Sequence, residues 1–478
     1  MRVTIAAAAL VFGLSHACAD PATPEGARRI EAAYAAYFSQ GLIDNKILTV
    51  TPRGDDYLIV WDFEKALAAM GAPVHVSAPF VYRLTPTLGG GWFARVNSLP
   101  NLAVHPLGEG GREGGTADFE GFRFEELYDP DAAAPLRAKM SLGSLKIDAR
   151  ARSGGALNHI VMSQDGLVSE MQVKPGQRPG EVDIISTQSV TGSAQQTAVL
   201  GDDGEAHGAT NSKQGATSGD GRVTGLRAAA IGDLWRFLVA HFGKGPIAPE
   251  ALKPKLEALA PLWREAEGRG EANDIAISFP GGDVSLKSAS QEGRLTGLVG
   301  HASAALALTV NDVNLNLADA PDWLKKIWPA TLALKVEAHV DGLDRATQIA
   351  LDDPRLLESG EIGEDTKTAI RETLLSGHPS VRITETRLST PLLDATFEGE
   401  AEFGEETQAH AHVTSDDLDK LLQALAEIAP SEPTAQQLLY VATFARGLAR
   451  AEDGRLVWDV DYVGPGEVRV NGQLFSEP

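Results

Sequence analysis

The stretch AALALTVNDVNLNLADAPDWLKKIWPATLALKVEAHVDG, Ala304–Gly342, carries the pattern that decides the fold. Apolar and polar residues alternate along Thr331–Asp341, which is the period of a strand with one apolar and one wet face. The first part alternates in the same way but changes phase at Asn311-Asp312, which predicts a β-bulge or a sharp bend. We therefore predict a strand–turn–strand unit with one short helical segment between its strands.

Similar one-faced strands recur through most of the chain, and helical periodicity interrupts them. Residues 117–226 contain short alternating runs separated by Gly, Pro, Asp or Asn, as in an antiparallel meander. Apolar residues at helical spacing predict two helix pairs. These helices are Ala228–Phe242 with Pro249–Glu267, and Asp416–Ile428 with Thr434–Arg450. The predicted fold class is α+β, with long, curved antiparallel β-meanders flanked by helix pairs. The order of elements at 117–268 recurs at 380–450, which suggests an internal repeat.

The chain of 478 residues is longer than one compact core normally holds, so several domains are expected. The glycine-rich run Gly108–Gly115 is too polar to pack and predicts a loop at a domain boundary. Four segments follow: a signal peptide at 1–19, an N-terminal α+β region at 20–115, a central β-meander with a helix pair at 116–350, and a C-terminal α+β region at 351–478.

The first residues have the pattern of a secretory signal. A positive start, Met1-Arg2, precedes the apolar run Val3–Leu14, and Ala17-Cys18-Ala19 offers a small-residue cleavage site. The run is shorter than the ~20 residues of a membrane span. We therefore expect a periplasmic protein without a transmembrane segment in the mature chain. Lipoprotein anchoring through Cys18 is the less favoured alternative, because Ser15-His16 stands where lipoprotein signals usually carry Leu.

The composition is acidic, and this limits the partners. The formal net charge is −23 at pH 7, so the phosphate backbone of a nucleic acid would repel the chain. The same charge argues against broad electrostatic adhesion to an anionic membrane. We expect no nucleic-acid partner.

The sequence carries none of the commonest catalytic signatures. The nucleophile elbow Gly-x-Ser-x-Gly, the zinc motif His-Glu-x-x-His and the phosphate-binding loop do not occur. No cofactor is predicted, and a binding protein is favoured over an enzyme. A hydrolase with an unrecognised site stays open as an alternative.

One set of residues has the composition of a metal site. If a turn centres near residue 405, Glu400 lies opposite His410 and Glu398 lies opposite His412 on one wet face. Two imidazoles and two carboxylates within cross-strand reach can hold zinc or copper. The alternative is an ordinary set of opposite-charge pairs that stabilises the sheet.

Four tryptophans are candidate ligand or interface residues, because they fall near predicted helix–sheet junctions. They are Trp235, Trp263, Trp323 and Trp328. The last two flank a pair of lysines, so this segment either anchors at lipid headgroups or forms a helix that caps one end of a sheet.

Two segments near the C-terminus and one earlier phrase resemble YdgA-like bacterial envelope proteins of unknown function. The C-terminal segments are Asp453–Tyr462 and Val468–Phe475, and the phrase is Trp328–Leu332, which leads into a long strand. Together these segments cover only a small part of the chain. The resemblance implies an exported, β-rich protein and brings no established catalytic residues.

These observations favour an exported, non-enzymatic envelope protein that binds a lipid or another hydrophobic ligand on a concave sheet. The alternative is a structural or protein-interaction scaffold whose partners are other envelope proteins. Periodicity leaves both open, because an apolar sheet face has the same pattern whether a helix or a ligand covers it.

Overall fold

The computed structural model describes residues 22–476, apart from residues 39, 70–73, 88–90, 108–112, 130–133, 154–155, 202–203, 242–246, 298, 319, 405, 417 and 465–466. The predicted signal peptide and its cleavage site lie outside the described residues. The chain divides into two compact units, Met1–Ala266 and Glu267–Pro478. The boundaries predicted at 115–116 and 350–351 lie inside these units.

The first unit, unit 1, combines five described helices with a set of antiparallel strands. The helices are α1 (Pro24–Phe38), α2 (Gly41–Asp44), α3 (Phe63–Ala69), α4 (Ala228–His241) and α5 (Pro249–Glu257). The strands are β1 (Leu48–Arg53), β2 (Asp56–Trp61), β3 (Val74–Val76), β4 (Phe80–Pro86), β5 (Trp92–Val96), β6 (Leu102–Leu107), β7 (Glu113–Glu120), β8 (Arg123–Asp129), β9 (Ala134–Ser153), β10 (Ala156–Pro175), β11 (Val182–Val190), β12 (Gly192–Leu200), β13 (Ala206–Gln214) and β14 (Thr217–Leu226).

The strand β15 (Glu265–Phe279) follows, and the remaining elements belong to unit 2. The strands of this unit are β16 (Gly282–Thr296), β17 (His301–Asn311), β18 (Asn314–Leu317), β19 (Thr331–Asp341), β20 (Ser380–Ser389), β21 (Asp394–Glu402), β22 (Gln408–Asp416), β23 (Arg450–Glu452), β24 (Arg455–Gly464), β25 (Glu467–Val470) and β26 (Gln473–Ser476). Its helices are α6 (Asp322–Ile327), α7 (Leu343–Leu351), α8 (Pro354–Ser359), α9 (Glu364–Leu375), α10 (Leu418–Ile428) and α11 (Pro433–Leu448). The predicted α+β class is confirmed.

Two strands of 20 residues each, β9 and β10, organise unit 1. They pair with each other from Arg137–Ser153 to Ala156–Gln172, and each also pairs with two further strands in succession. Strand β9 pairs with β8 and then with β7, while β10 pairs with β12 and then with β11. The sequence predicted several shorter strands here, because polar residues inside a long strand resemble the ends of strands.

The hydrophobic core of unit 1 lies where α1 meets the early strands. Its helix residues Ala27, Ile30 and Tyr34 recur at helical spacing and are buried against the sheet. The strand residues alternate, as expected for a half-buried sheet. They include Leu48, Ile59, Trp61, Leu84, Trp92, Phe124, Tyr128 and Met140.

Unit 2 contains one antiparallel succession of strands, β16–β17–β19–β20–β21–β22–β24–β25–β26. The predicted unit at Ala304–Gly342 is β17, β18, α6 and β19, with Leu306 opposite Val336. Asp312, at φ 53°, separates β17 from β18. The register with β16 is the same on both sides of Asp312, so the predicted phase change is a bend and not a register slip.

Two sequence predictions are wrong in detail. The helix expected at Pro249–Glu267 ends at Glu257, and β15 begins at Glu265. Proline at 261, in the predicted continuation, has no N–H to donate. The glycine-rich loop expected at Gly108–Gly115 gives way to β7 from Glu113 onward. There Gly115 lies against the backbone of β9, where an added Cβ would be 2.4 Å from the Asp148 carbonyl oxygen.

Candidate functional site

The candidate site is the apolar side of the unit 2 sheet, which we call the apolar sheet face. The register places apolar residues of neighbouring strands beside one another. On β17 and β19 they are Leu306, Leu308, Val310, Leu332, Leu334, Val336 and Ala338. On β20, β21, β22 and β24 they are Val381, Ile383, Leu388, Phe397, Ala401, Ala409, Ala411, Val413, Trp458 and Val460.

A β-bulge in β20 keeps this face continuous. Val381 and Ile383 occupy odd positions, whereas Leu388 occupies an even one, so strict alternation would place Leu388 on the polar side. Glu385 adopts φ 51°, and the registers of β20 with both β19 and β21 shift at this point. The extra residue returns Leu388 to the apolar sheet face.

Side chains in the middle of the apolar sheet face keep contact with solvent. Leu306 is 50% exposed, and its neighbours Leu334 and Val336 are half-buried. Full burial on this side occurs near the strand ends, at Ala302 and Leu456. Side chains of the neighbouring strands supply part of this burial.

The helices of unit 2 bury apolar residues against one another. Trp323 of α6, Leu425 of α10 and Ala435 of α11 form a cluster of their own. The indole Nε1 of Trp458 donates to the carbonyl oxygen of Ala445 at 2.7 Å, so the C-terminal part of α11 is tied to β24. These residues of α6, α10 and α11 therefore face one another, while Trp458 of the apolar sheet face lies against α11.

The apolar band is long and wide enough to accommodate a hydrocarbon chain. Six strands lie side by side from β17 to β24, and a spacing of about 4.8 Å gives a width of about 24 Å. Along β19 the band extends from Leu332 to Ala338, which is about 20 Å at about 3.4 Å per residue. One leaflet of a bilayer has a hydrocarbon depth of about 15 Å.

The opposite side of the same sheet is charged. The predicted register is confirmed, with Glu400 opposite His410 and Glu398 opposite His412. Each histidine, however, uses its Nδ1 toward the next strand. His410 lies 2.8 Å from the Asp461 carboxylate, and His412 lies 2.7 Å from the Asp459 carboxylate.

The carboxylates of this side are held in ion pairs. Glu400 accepts from the Arg382 guanidinium at 2.8 Å. The hydrogen bond and the charge of His412 lower the pKa of Asp459, with a further contribution from Arg450. Across the part of the chain that the structure describes, no three His, Cys, Asp or Glu side chains converge to hold a metal ion. The arrangement matches a ladder of stabilising cross-strand pairs.

The four candidate tryptophans do not form one site. Trp235 lies on α4 and is 49% exposed, and its Nε1 donates to the carbonyl oxygen of Tyr37 at 2.7 Å. Trp263 is half-buried between α5 and β15. Trp323 is 9% exposed and lies in the helix cluster with Leu425 and Ala435, and Trp328 follows α6 with 37% exposure.

One buried carboxyl in unit 1 was missed by the sequence analysis. Glu126 of β8 is 1% exposed and lies between Ala94 and Ala138 of the neighbouring strands. Neither carboxyl oxygen has a hydrogen-bond partner among the described residues. Burial raises the pKa of the Glu126 carboxyl well above its usual range.

A signal for this residue exists in the sequence. Glu126 shares its parity with Phe122, Phe124 and Tyr128, and the polar residues Arg123 and Glu125 occupy the other parity, so period two places the carboxyl on the apolar side. The nearby phenols Tyr34 and Tyr82 share a buried hydrogen bond with each other. Glu126 therefore belongs to the core of unit 1 and affects its stability.

Among the described residues, no helix has both the length and the apolar character needed to cross a membrane. Comparison with models of protein families, with curated proteins and with solved structures gives no match to this chain. Its function is therefore inferred from the geometry of the candidate site.

Proposed function

We propose that this protein is an exported, non-enzymatic envelope protein that binds a lipid or another hydrophobic ligand on the apolar sheet face. The observation that supports the proposal most strongly is the apolar band that crosses six strands of unit 2, in which Leu306 is 50% exposed and its neighbours are half-buried. Export rests on the sequence pattern of residues 1–19.

Hydrophobic burial supplies the driving force for this binding. Apolar surface removed from water contributes about 25 cal/mol per Å², so a ligand that covers about 300 Å² gains about 7 kcal/mol before the costs of association. Contiguous exposed apolar patches of several hundred Å² mark interaction sites in soluble proteins. In this proposal the apolar sheet face is such an interaction site.

The chemistry of the face favours binding over catalysis. Its central side chains, such as Leu308, Leu334 and Val336, are hydrocarbon and neither donate nor accept protons. The charged residues point to the other side of the sheet, where they keep that surface wet. In this proposal the sheet curves around its apolar side and shelters the ligand from water.

Native mass spectrometry of the full chain isolated from its own cellular compartment tests the proposal. We expect an additional mass of lipid size that disappears on denaturation, because a hydrophobic ligand held by burial alone is released when the sheet unfolds. Denaturing mass spectrometry of the same sample is the control. A bare mass in several mild detergent-free preparations would contradict ligand binding and favour the scaffold function.

A further inference from the structure

Helix α11 has an apolar outer side that the packing of unit 2 does not use. The helix has 16 residues, and its inward stripe packs into the helix cluster with α6 and α10. The inward residues are Ala435, Leu439 and Ala442. On the opposite side of the helix lie Tyr440, Val441 and Phe444, at positions i, i+1 and i+4. We call these three residues the α11 ridge.

The α11 ridge is more exposed than any other group of large apolar side chains in the described chain. Tyr440 is 66% exposed, Val441 is 67% exposed and Phe444 is 63% exposed. A surface helix normally places polar residues opposite its packed stripe, and helices that are apolar all round are covered by something. The ridge is therefore an apolar surface that a partner outside unit 2 can contact.

The charge pattern restricts the chemistry of that partner. Residues 433–445 contain no charged side chain, although the whole chain has a net charge of −23. The first charge on the helix, Arg446, is paired with Asp419 at 2.9 Å. An acidic protein with a neutral apolar ridge is repelled by an anionic surface and complements a neutral one.

The size of the ridge also restricts the partner. If a fully exposed aromatic side chain offers about 200 Å², Tyr440 and Phe444 present roughly 250 Å², and Val441 adds about 100 Å². Each partner in a stable protein complex contributes about 800 Å². The ridge is too small for a stable second copy of this chain, whereas shallow insertion into a lipid surface needs only a few side chains.

The details of the ridge suit the boundary between water and hydrocarbon. Tyr440 has an apolar ring and a hydroxyl that accepts a hydrogen bond from Gln436 Nε2 at 3.3 Å. Val441 and Phe444 are wholly apolar and lie next to it on the helix. We propose that the α11 ridge docks this protein onto a zwitterionic lipid surface, with Val441 and Phe444 inserted and the Tyr440 hydroxyl at headgroup level.

The proposed docking surface uses different residues from the apolar sheet face, so either proposal can fail alone. The test is co-sedimentation of the full chain with phosphatidylcholine vesicles at physiological salt. We expect binding that falls at least tenfold in the double variant Val441→Gln/Phe444→Gln, because most of the inserted apolar surface is lost. Vesicles that also contain phosphatidylglycerol should bind no more tightly.

A matched control is Leu474→Gln on β26, which changes a 54% exposed leucine outside the ridge and should leave vesicle binding unchanged. Phe444→Trp should show added fluorescence quenching by brominated lipids, which reports insertion of the ridge itself. Equal vesicle binding by the double variant and the wild-type chain would overturn the proposal. A concentration-dependent dimer that the double variant abolishes, without vesicle binding, would overturn it in favour of a second copy.

Discussion

Leu84 on β4 and Leu306 on β17 are both strand leucines at apolar positions, yet their surroundings differ completely. Leu84 is 0% exposed in the core of unit 1, whereas Leu306 is 50% exposed on the apolar sheet face of unit 2. The local pattern around each is the same alternation. The difference therefore comes from what lies on the sheet and not from the strand itself.

In unit 1, helix α1 and bulky aromatic side chains pack on the apolar side of the sheet. Tyr34 of α1 meets Trp61 of β2 edge to face, with ring centroids 5.9 Å apart, and Ile30 is 2% exposed. In unit 2 the comparable apolar residues of α10 and α11 pack with α6 instead. An amphipathic strand thus becomes core only where a helix directs its stripe toward it.

The largest expected effect comes from truncating the two leucines. Leu84→Ala should lower the free energy of unfolding by about 2–5 kcal/mol, because it leaves a cavity in a packed core. Leu306→Ala should lower it by less than about 1 kcal/mol, because a half-exposed side chain loses little burial. Urea denaturation followed by circular dichroism measures both values.

Each leucine variant serves as the control for the other, since the chemical change is identical. A loss at Leu306 as large as that at Leu84 would mean that the apolar sheet face is closed by the protein itself. That result would remove the basis for a ligand on this face.

The second expected effect is a pH dependence of the free energy of unfolding that arises in unit 1. Because burial raises the pKa of Glu126, the native state keeps its proton above pH 4.5, where the unfolded state releases it. The free energy of unfolding should therefore fall as pH rises toward the raised pKa, by about 1.4 kcal/mol per pH unit. Glu126→Gln should remove this slope, as measured by urea denaturation between pH 5 and 8.

The neighbouring residue provides the control for this pH dependence. Glu125 points to the other side of β8, where it lies 3.3 Å from Arg95, and Glu125→Gln should keep the wild-type slope. An unchanged slope in Glu126→Gln would show that another group carries the pH dependence of unit 1.

Much of the local structure was predictable from the sequence. The pairing of Glu398 and Glu400 with His412 and His410 followed from alternation and a turn position, because antiparallel register is fixed once the turn is known. The short helix around Trp323 also followed from local spacing. The packing of Trp323 with α10 and α11 did not, because it depends on residues much further along the chain.

The remaining features depend on long-range packing that periodicity does not contain. The bulge at Glu385 is visible only in the registers of β20 with β19 and β21. The exposure of Leu306 and the packing of α10 with α11 likewise depend on the tertiary fold. The sequence of the exposed side of α11 resembles that of a buried helix face. Residue type alone does not show whether another element covers an apolar side chain.

The most direct measurement of the central claim is a fluorescence titration of the full chain with a dansylated fatty acid, comparing Leu306→Glu with Ala307→Glu. The two positions are adjacent on β17 and face opposite sides, so the same charge enters either the apolar sheet face or the polar face. We expect the dissociation constant to rise at least tenfold for Leu306→Glu and to stay unchanged for Ala307→Glu. Equal affinities for the two variants and the wild-type chain would contradict a hydrophobic ligand on the apolar sheet face.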